Sequence, residues 1–148
     1  MKIKTSDLEG HALTWVLLQL EHPDEPFSII RVEGEVEIWA DRDVGTSHPT
    51  FDREGKPRFV RVSDGAWVSL FGCEVDMLNW DECGPIIERE GIELKRGPTK
   101  PFVWAAFAFN APRAHCCGPT PLIAAMRCFV ASHLGDEVDV PDSLRTTP

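Results

Sequence analysis

Apolar residues recur at helical spacing near the start of the chain. Ser6 is followed three residues later by Glu9, which is the spacing of a capping box at a helix N-terminus. The apolar positions then fall on two helical faces: Leu8, Ala12, Trp15, Val16 and Leu20 on one, and Leu13, Leu17 and Leu18 on the other. We therefore predict a long N-terminal helix that ends before Pro23. A helix apolar on two sides is deeply packed or takes part in an interface.

A second helix is predicted near the end of the chain. Thr120 suits the N-cap position, Pro121 suits the first turn, and Gly135 suits the stop. One apolar stripe runs along Ile123, Met126, Val130 and Leu134. Small residues beside it, Ala124, Ala125 and Ala131, allow close approach to a sheet. Arg127 falls on the polar side, where a structural contact is the expected role.

The middle of the chain is rich in β-forming residues. Strands are predicted at 27–32, 35–40, 58–62, 66–71 and 102–109, with a further strand beginning around Ile92 and Leu94. Asp64-Gly65 favours a hairpin between two of them. The polar stretch 41–56 is predicted to be a surface loop. The continuous apolar character of 102–109 indicates burial on both faces or a central place in a sheet.

A short helix is predicted between 76 and 91, with Pro85 as its first residue and Gly91 as its stop. Asp76, Asn79 and Trp80 precede it and can be interpreted in two ways. They form a binding site, or the two polar residues cap the helix while Trp80 anchors it to the core. Capping explains all three by known preferences. Glu88 is expected on the solvent side.

Together these elements predict an α+β fold in a single domain over residues 1–140, followed by a frayed tail at 141–148. A mostly antiparallel sheet carries a long N-terminal and a long C-terminal helix packed on it, as a helix–sheet–helix sandwich, with one short extra helix. Both long helices on the same face of the sheet is the alternative.

The net charge of the chain restricts the classes of partner that it is expected to bind. The chain has 148 residues and a formal net charge of −9, which repels a phosphate backbone, so we expect no nucleic-acid partner. Solubility is the simpler explanation of the acidity. The alternative is an acidic DNA mimic that inhibits a host DNA-binding protein, since acidic residues gather at 136–142 and at 33–37. Without a secretory signal or an apolar run long enough to cross a bilayer, we expect a cytoplasmic protein and no membrane.

The most reactive-looking residues are His115, Cys116 and Cys117. Joined by Cys73, Cys83 or His133, they would form a zinc site. A Cys/His nucleophile pair within the triplet would instead make a small Cys/His-dependent enzyme. No Cys-x-x-Cys pair is present, and adjacent cysteines rarely ligate one ion, so ordinary thiols in a loop are the preferred interpretation. Cys128 is expected in the core. We therefore expect no cofactor, no metal and no catalytic residue.

Several motifs together resemble a known family. They are Asp76, Asn79-Trp80, Gly84-Pro85-Ile86-Ile87-Glu88, the block Gly118 to Cys128, the ending Leu134 to Pro141, and the opening Lys4 to Leu8 with Ala12-Leu13. This set resembles the NinX-type phage and prophage family of unknown function, with the middle of the chain, 25–72, less familiar. The resemblance implies a phage or prophage origin, a helix–sheet–helix fold and expression in the cytoplasm of a bacterial host. It implies no catalytic residues.

The sequence thus predicts a phage accessory protein that acts by binding a host or phage protein, with homo-oligomer formation as one form of that binding. We expect no enzymatic activity, because no coherent catalytic constellation is present. The candidate binding or structural residues are Asp76, Asn79, Trp80, Glu88 and Arg127.

Overall fold

The computed structural model describes residues 1–32, 34–40, 47–51, 57–61, 67–68, 76–97, 104–109 and 114–144. In chain order the elements are β1 (Lys2–Lys4), α1 (Gly10–Glu21), β2 (Phe27–Val32), β3 (Glu35–Ala40), β4 (Ser47–Phe51), β5 (Pro57–Arg61), β6 (Trp67–Val68), α2 (Trp80–Glu90), β7 (Glu93–Arg96), β8 (Trp104–Ala108), β9 (Ala114–Gly118), α3 (Pro121–Leu134) and β10 (Glu137–Asp139). Short 3₁₀ turns lie at Thr5–Asp7 and Asp142–Leu144. The described part of the chain is α+β, with three α-helices and small antiparallel sheets.

The chain divides into two compact units. The first combines Met1–Glu21 with Met77–Arg145, and the second combines His22–Asp76 with Thr146–Pro148. We describe each by itself. The single domain predicted over 1–140 stays a prediction.

Helix α3 is the centre of the first unit. Thr120 caps it, its Oγ1 accepting from the Ile123 N–H at 3.1 Å, Pro121 opens it and Gly135 ends it, all as predicted. Seven consecutive residues, 124–130, are buried, which means that every side of the helix is covered. The covering elements are the sheet β7–β8–β9, the helices α1 and α2, β10 and the turn at Thr5–Asp7. Of the predicted apolar stripe, Met126 and Val130 are buried, whereas Leu134 at its end is 48% exposed.

The first helix is shorter than predicted. It begins at Gly10, whose φ of +52° breaks a continuous right-handed helix, and the Ser6–Glu9 segment does not start it. Thr5 explains the difference, because its N–H donates to the Asp136 carbonyl at 2.8 Å and its Oγ1 donates to the Gly135 carbonyl at 2.6 Å. These long-range bonds hold the start of the chain against the end of α3. Helix α1 packs against α3, and the finer sandwich arrangement stays a prediction.

Helix α2 is longer than predicted. Asn79 caps its N-terminus and Gly91 ends it in a left-handed conformation with φ +61°, but Pro85 lies inside the helix and does not open it. Arg89 joins α2 to α1 through two bonds to the Glu21 carboxylate, at 2.6 and 3.0 Å. Its guanidinium also lies 5.7 Å from the centre of the Phe129 ring on α3. The hydrogen bonds that Arg89 donates to the Glu21 carboxylate are the main cause that raises the pKa of Arg89 above its usual value.

The two ends of the first unit meet in a two-stranded ribbon. β1 and β10 pair antiparallel, with Lys2 opposite Asp139 and Lys4 opposite Glu137. Neither strand was predicted, although both alternate charged and apolar residues. The segment predicted as a frayed tail starts with the turn Asp142–Leu144, in which Leu144 is buried.

The antiparallel sheet β7–β8–β9 has β8 in its centre, as expected for the apolar stretch that contains it. Ala106 on β8 faces Leu94 on one side and Cys116 on the other. Because side chains alternate between faces, Ala106, Ala108, Cys116 and Gly118 share the face that α3 covers. An added Cβ at Gly118 would lie 2.9 Å from the Ala124 backbone nitrogen, so helix and sheet are in very close contact there.

In the second unit, β2 and β3 form a hairpin pair and β4–β5–β6 a three-stranded antiparallel sheet. β4 lies within the stretch predicted to be a loop, so that prediction is wrong for Ser47–Phe51. β5 and β6 pair as the Asp64-Gly65 signal suggests, while those two residues themselves lie outside the described part. β3 is buried on both faces, and Trp39 Nε1 donates to the buried Glu37 carboxylate at 2.7 Å.

None of the described helices combines the length and the apolar composition needed to cross a bilayer.

Candidate functional site

The motif before α2 is partly structural and partly exposed. Asn79 Oδ1 accepts a hydrogen bond from the Glu82 N–H at 2.9 Å, so its capping role is confirmed. Trp80 is 58% exposed and does not anchor the helix in the core, which corrects that expectation. Asp76 and Glu88 are both exposed. The structure therefore gives Asn79 a capping role and places Trp80 and Glu88 on the surface.

Arg127 is buried, with 7% of its surface exposed, and does not lie on a polar face of α3. Its Nε donates to the Leu8 carbonyl at 2.7 Å and its Nη1 donates to the Cys117 carbonyl at 2.9 Å. The side chain thereby ties α3 to the N-terminal segment and to β9. Its structural role, the preferred interpretation from the sequence, agrees with these bonds.

His115, Cys116 and Cys117 lie on strand β9, although a loop was predicted. Successive strand residues point to opposite faces, so Cys116 faces α3 while His115 and Cys117 face the other way. Cys117 Sγ lies 3.7 Å from His115 Nε2. Among the described residues, no group of three His, Cys, Asp or Glu side chains is arranged to hold a metal ion. The triplet therefore does not converge on one ion.

Burial disfavours the thiolate form of two of the described cysteines, Cys116 and Cys128. Burial raises the pKa of Cys116, an effect that the nearby Arg127 partly offsets. Burial also raises the pKa of Cys128 to about 12. Cys83 is buried too and donates to the Met77 carbonyl at 3.0 Å. Cys73 lies outside the described residues, and His133 lies at the end of α3 with its Nε2 3.5 Å from Glu90.

The sheet face opposite α3 carries aromatic side chains. Phe107 and His115 are cross-strand partners whose rings stack at 4.6 Å with 6° between their planes. Phe109 stacks on Phe107 at 6.2 Å and is 57% exposed. We call Phe107, Phe109 and His115 the aromatic face. An exposed aromatic cluster of this kind is typical of protein interaction sites.

A cleft of about 680 Å³ opens beside β9. We call it the β9 cleft, and its lining residues are Lys4, Thr5, Ser6, Ala114, His115, Cys116, Ala131, Asp136 and Glu137. Its position follows from α3, because Ala131 lies one helical turn beyond Arg127. Arg127 fills the space between the N-terminal segment and β9, and the small side chain of Ala131 leaves it open.

The acidic clusters noticed in the sequence do not form uniform carboxylate surfaces. Glu137 and Asp139 face Lys4 and Lys2 across the ribbon, and the Met1 amino group lies 3.1 Å from the Asp142 carboxylate. In the other cluster, Glu37 is buried and bonded to Trp39. Glu33 lies outside the described residues. Mimicry of DNA stays a prediction that these clusters do not support.

The sequence contained a signal for the aromatic face that we did not use. Ala106 and Ala108 alternate with Phe107 and Phe109, a pattern of period two that separates a small face from a large one. Lys4 and Ala131 carry no local signal, because the cleft arises from two segments far apart in the chain.

The first unit is thus an α+β unit built around helix α3, with an aromatic face and a cleft at a sheet edge. The chain belongs to the bacteriophage P22 NinX family, whose model matches residues 4–133. The match includes the middle segment that looked unfamiliar and stops before the ending at 134–141 that seemed to fit. No curated protein matches the chain.

Proposed function

We propose that this phage protein works in the cytoplasm of the infected bacterium by binding a host or phage protein, without catalysing a reaction. The observation that carries the proposal is the aromatic face. Phe109 is more than half exposed beside a stacked Phe107–His115 pair, where a soluble fold without a partner gains nothing from large apolar groups.

The use of the polar groups supports the same proposal. Arg127 donates hydrogen bonds to two backbone carbonyls, and Cys83 donates to the Met77 carbonyl. Asn79 accepts a hydrogen bond from the first turn of α2. A catalytic site needs a nucleophile or base held near an open cavity with a matched partner. The polar side chains just named stabilise the fold instead.

Local charge also favours this face as a contact surface. The residues beside the aromatic face on β7 are Glu93 and Lys95, whose charged groups lie 3.6 Å apart and cancel. The chain as a whole carries −9, so a neutral apolar face is where another macromolecule approaches with the least electrostatic repulsion.

Affinity capture from infected cells tests the proposal, using tagged wild-type protein, Phe109→Ser and Trp80→Ser. The two variants form a matched pair, because Trp80, at the start of α2, and Phe109, directly after β8, are 58% and 57% exposed. We expect Phe109→Ser to lower recovery of the specific partner about tenfold or more, as removal of an interface hot spot does. Trp80→Ser should recover it at the wild-type level.

Two results would count against the proposal. Equal recovery by wild type and Phe109→Ser would exclude the aromatic face, and loss only in Trp80→Ser would transfer the contact to α2. Self-association is the other way to cover this face. Sedimentation of the purified wild type over a hundredfold concentration range identifies it, since a Phe109-dependent dimer would replace the host or phage partner.

A further inference from the structure

We propose that the β9 cleft binds an extended, basic segment of a partner protein, which adds a strand to the free edge of β9. The cleft shares His115 with the aromatic face, whereas Phe109 is absent from the cleft lining and Ala131 from the aromatic face, so variants at these two positions test the two proposals separately.

The backbone of β9 presents hydrogen-bonding groups to the cleft. In the described part of the chain β9 pairs with β8 alone, which leaves its other edge free. In an antiparallel strand the N–H and C=O of one residue point to the same side, and alternate residues share that side. The Cys117 carbonyl points away from β8, because it accepts from Arg127. By parity the N–H and C=O of His115 also point outward, and His115 lines the cleft.

The opposite wall presents the same kind of edge. Met1 and Val140 exchange backbone bonds of 2.7 and 2.9 Å, and the Thr5 N–H donates to the Asp136 carbonyl at 2.8 Å. Residues 1, 3 and 5 therefore point toward β10, so the N–H and C=O of Lys4 point away from it. Lys4 also lines the cleft. Within the described part of the chain, two strand edges without a further strand partner thus border one cavity, and an exposed edge of this kind is what β-augmentation uses.

Side chains of helix α3 block one end of the β9 edge and leave space for a peptide at the other end. Arg127 occupies the gap between Leu8 and Cys117, which protects the edge at that point from further pairing. One turn later Ala131 forms part of the cleft lining. An extended segment that lies against Ala131 and Cys116 fits with small or aliphatic side chains turned inward.

The charged groups that line the β9 cleft favour a basic peptide as its ligand. The cleft lining carries two exposed carboxylates, Asp136 and Glu137, and one lysine, Lys4, which lies opposite Glu137 in the ribbon, so with His115 neutral the lining has a net charge of 1 − 2 = −1. The chain carries −9 overall, which disfavours an acidic peptide or a second copy of this chain at the same place. Lysine or arginine at alternate positions of the bound strand would meet these carboxylates, because alternate side chains share a face.

The test uses the full chain and three fluorescent, end-capped hexapeptides in which lysine or arginine alternates with valine or alanine. Binding is measured by fluorescence anisotropy, and the site by amide chemical shifts in NMR. We expect at least one of the basic peptides to bind and to shift the amides of His115 and Lys4. A peptide with glutamate in place of the basic residues should bind about tenfold more weakly or not at all.

Two variants at one position separate the backbone from the side chain. His115→Pro removes the outward N–H and should weaken binding about tenfold, while His115→Ala keeps it and should change the affinity less than about threefold. Ala131→Met fills the cleft and should abolish binding. Urea unfolding of each variant identifies those that fold, so a loss of binding is assigned only to folded protein.

The proposal is overturned if none of the basic peptides shifts the His115 and Lys4 amides of the wild type. Equal binding by folded His115→Pro and His115→Ala would also exclude strand addition. Concentration-dependent dimerisation that Ala131→Met abolishes would assign the cleft to a second copy of the chain. In each case the Phe109 capture experiment still decides the aromatic face independently.

Discussion

The two faces of the sheet β7–β8–β9 differ in the size of their side chains. In an ordinary core the large apolar side chains are buried, whereas here the covered face has several small residues and the other face has large aromatic ones. The face under α3 carries the buried small residues Ala106, Ala108 and Gly118, with the larger Leu94 and Trp104 beside them on the same face. The other face carries Phe107 and Phe109, and Phe109 is largely exposed. Apolar burial contributes roughly 25 cal/mol per Å², so leaving large aromatic groups accessible forgoes stability. The small residues are explained by close packing against α3, and for the large aromatic residues we propose an external contact.

The largest expected effect concerns Arg127, which holds α3 to the edge of this sheet. Arg127→Leu leaves the carbonyls of Leu8 and Cys117 without their charged donor. We expect the free energy of unfolding to fall by about 3 kcal/mol, the combined cost of losing hydrogen bonds to a buried charged group. Urea denaturation measures it. An unchanged unfolding midpoint would show that these bonds contribute nothing to stability.

A smaller loss is expected on the small face at Gly118. An alanine Cβ would lie 2.9 Å from the Ala124 nitrogen and 3.1 Å from Ile123, so helix and sheet would have to separate. We expect Gly118→Ala to destabilise the protein by about 1 to 3 kcal/mol. Cys117→Ala, one residue away on the opposite face, is the matched control and should cost less. The comparison of the two faces fails if the two substitutions are equivalent.

Cys128, which is buried on α3, is expected to make the free energy of unfolding decrease at alkaline pH. Its pKa is raised from 9.0 to about 12 by burial, so the folded state keeps a proton that the unfolded chain releases. This contribution is fully present below about pH 9 and is lost as the pH rises toward 12, at about 1.4 kcal/mol per unit. We expect Cys128→Ala to flatten the decline in stability from pH 9 to 11. Parallel pH profiles for the two proteins would contradict this assignment.

The smallest effect on stability is expected on the aromatic face. Phe109→Ser removes a side chain that is 57% exposed, and the free energy of unfolding should change by about 0.5 kcal/mol or less. Urea denaturation beside Gly118→Ala measures the contrast directly. A loss above 2 kcal/mol would make Phe109 a structural residue and remove the main support for a binding role.

Local chemistry made several elements predictable. Asn79 and Thr120 cap helices because a side-chain oxygen within reach of a free N–H is a local property. Gly91 and Gly135 stop helices for a similarly local reason. The central strand of the sheet was recognisable from its apolar run.

Long-range contacts explain the errors. Thr5 is bonded to the carbonyls of Gly135 and Asp136, and this contact replaces the helical turn predicted there. Strand β9 has few β-forming side chains and owes its conformation to pairing with β8. Arg127 looked like a surface residue, because its two acceptors come from segments that no local pattern relates to it.

The sequence by itself determined where helices end, which stretches extend, the acidic balance and membership of a phage family. The tertiary structure decided which faces those elements cover, and with that the burial of Arg127, the exposure of Phe109 and the place of the cleft. The physical reason is the distance along the chain over which each interaction acts. Helix caps and periodicity involve residues a few positions apart, whereas burial depends on which distant segment packs against a residue.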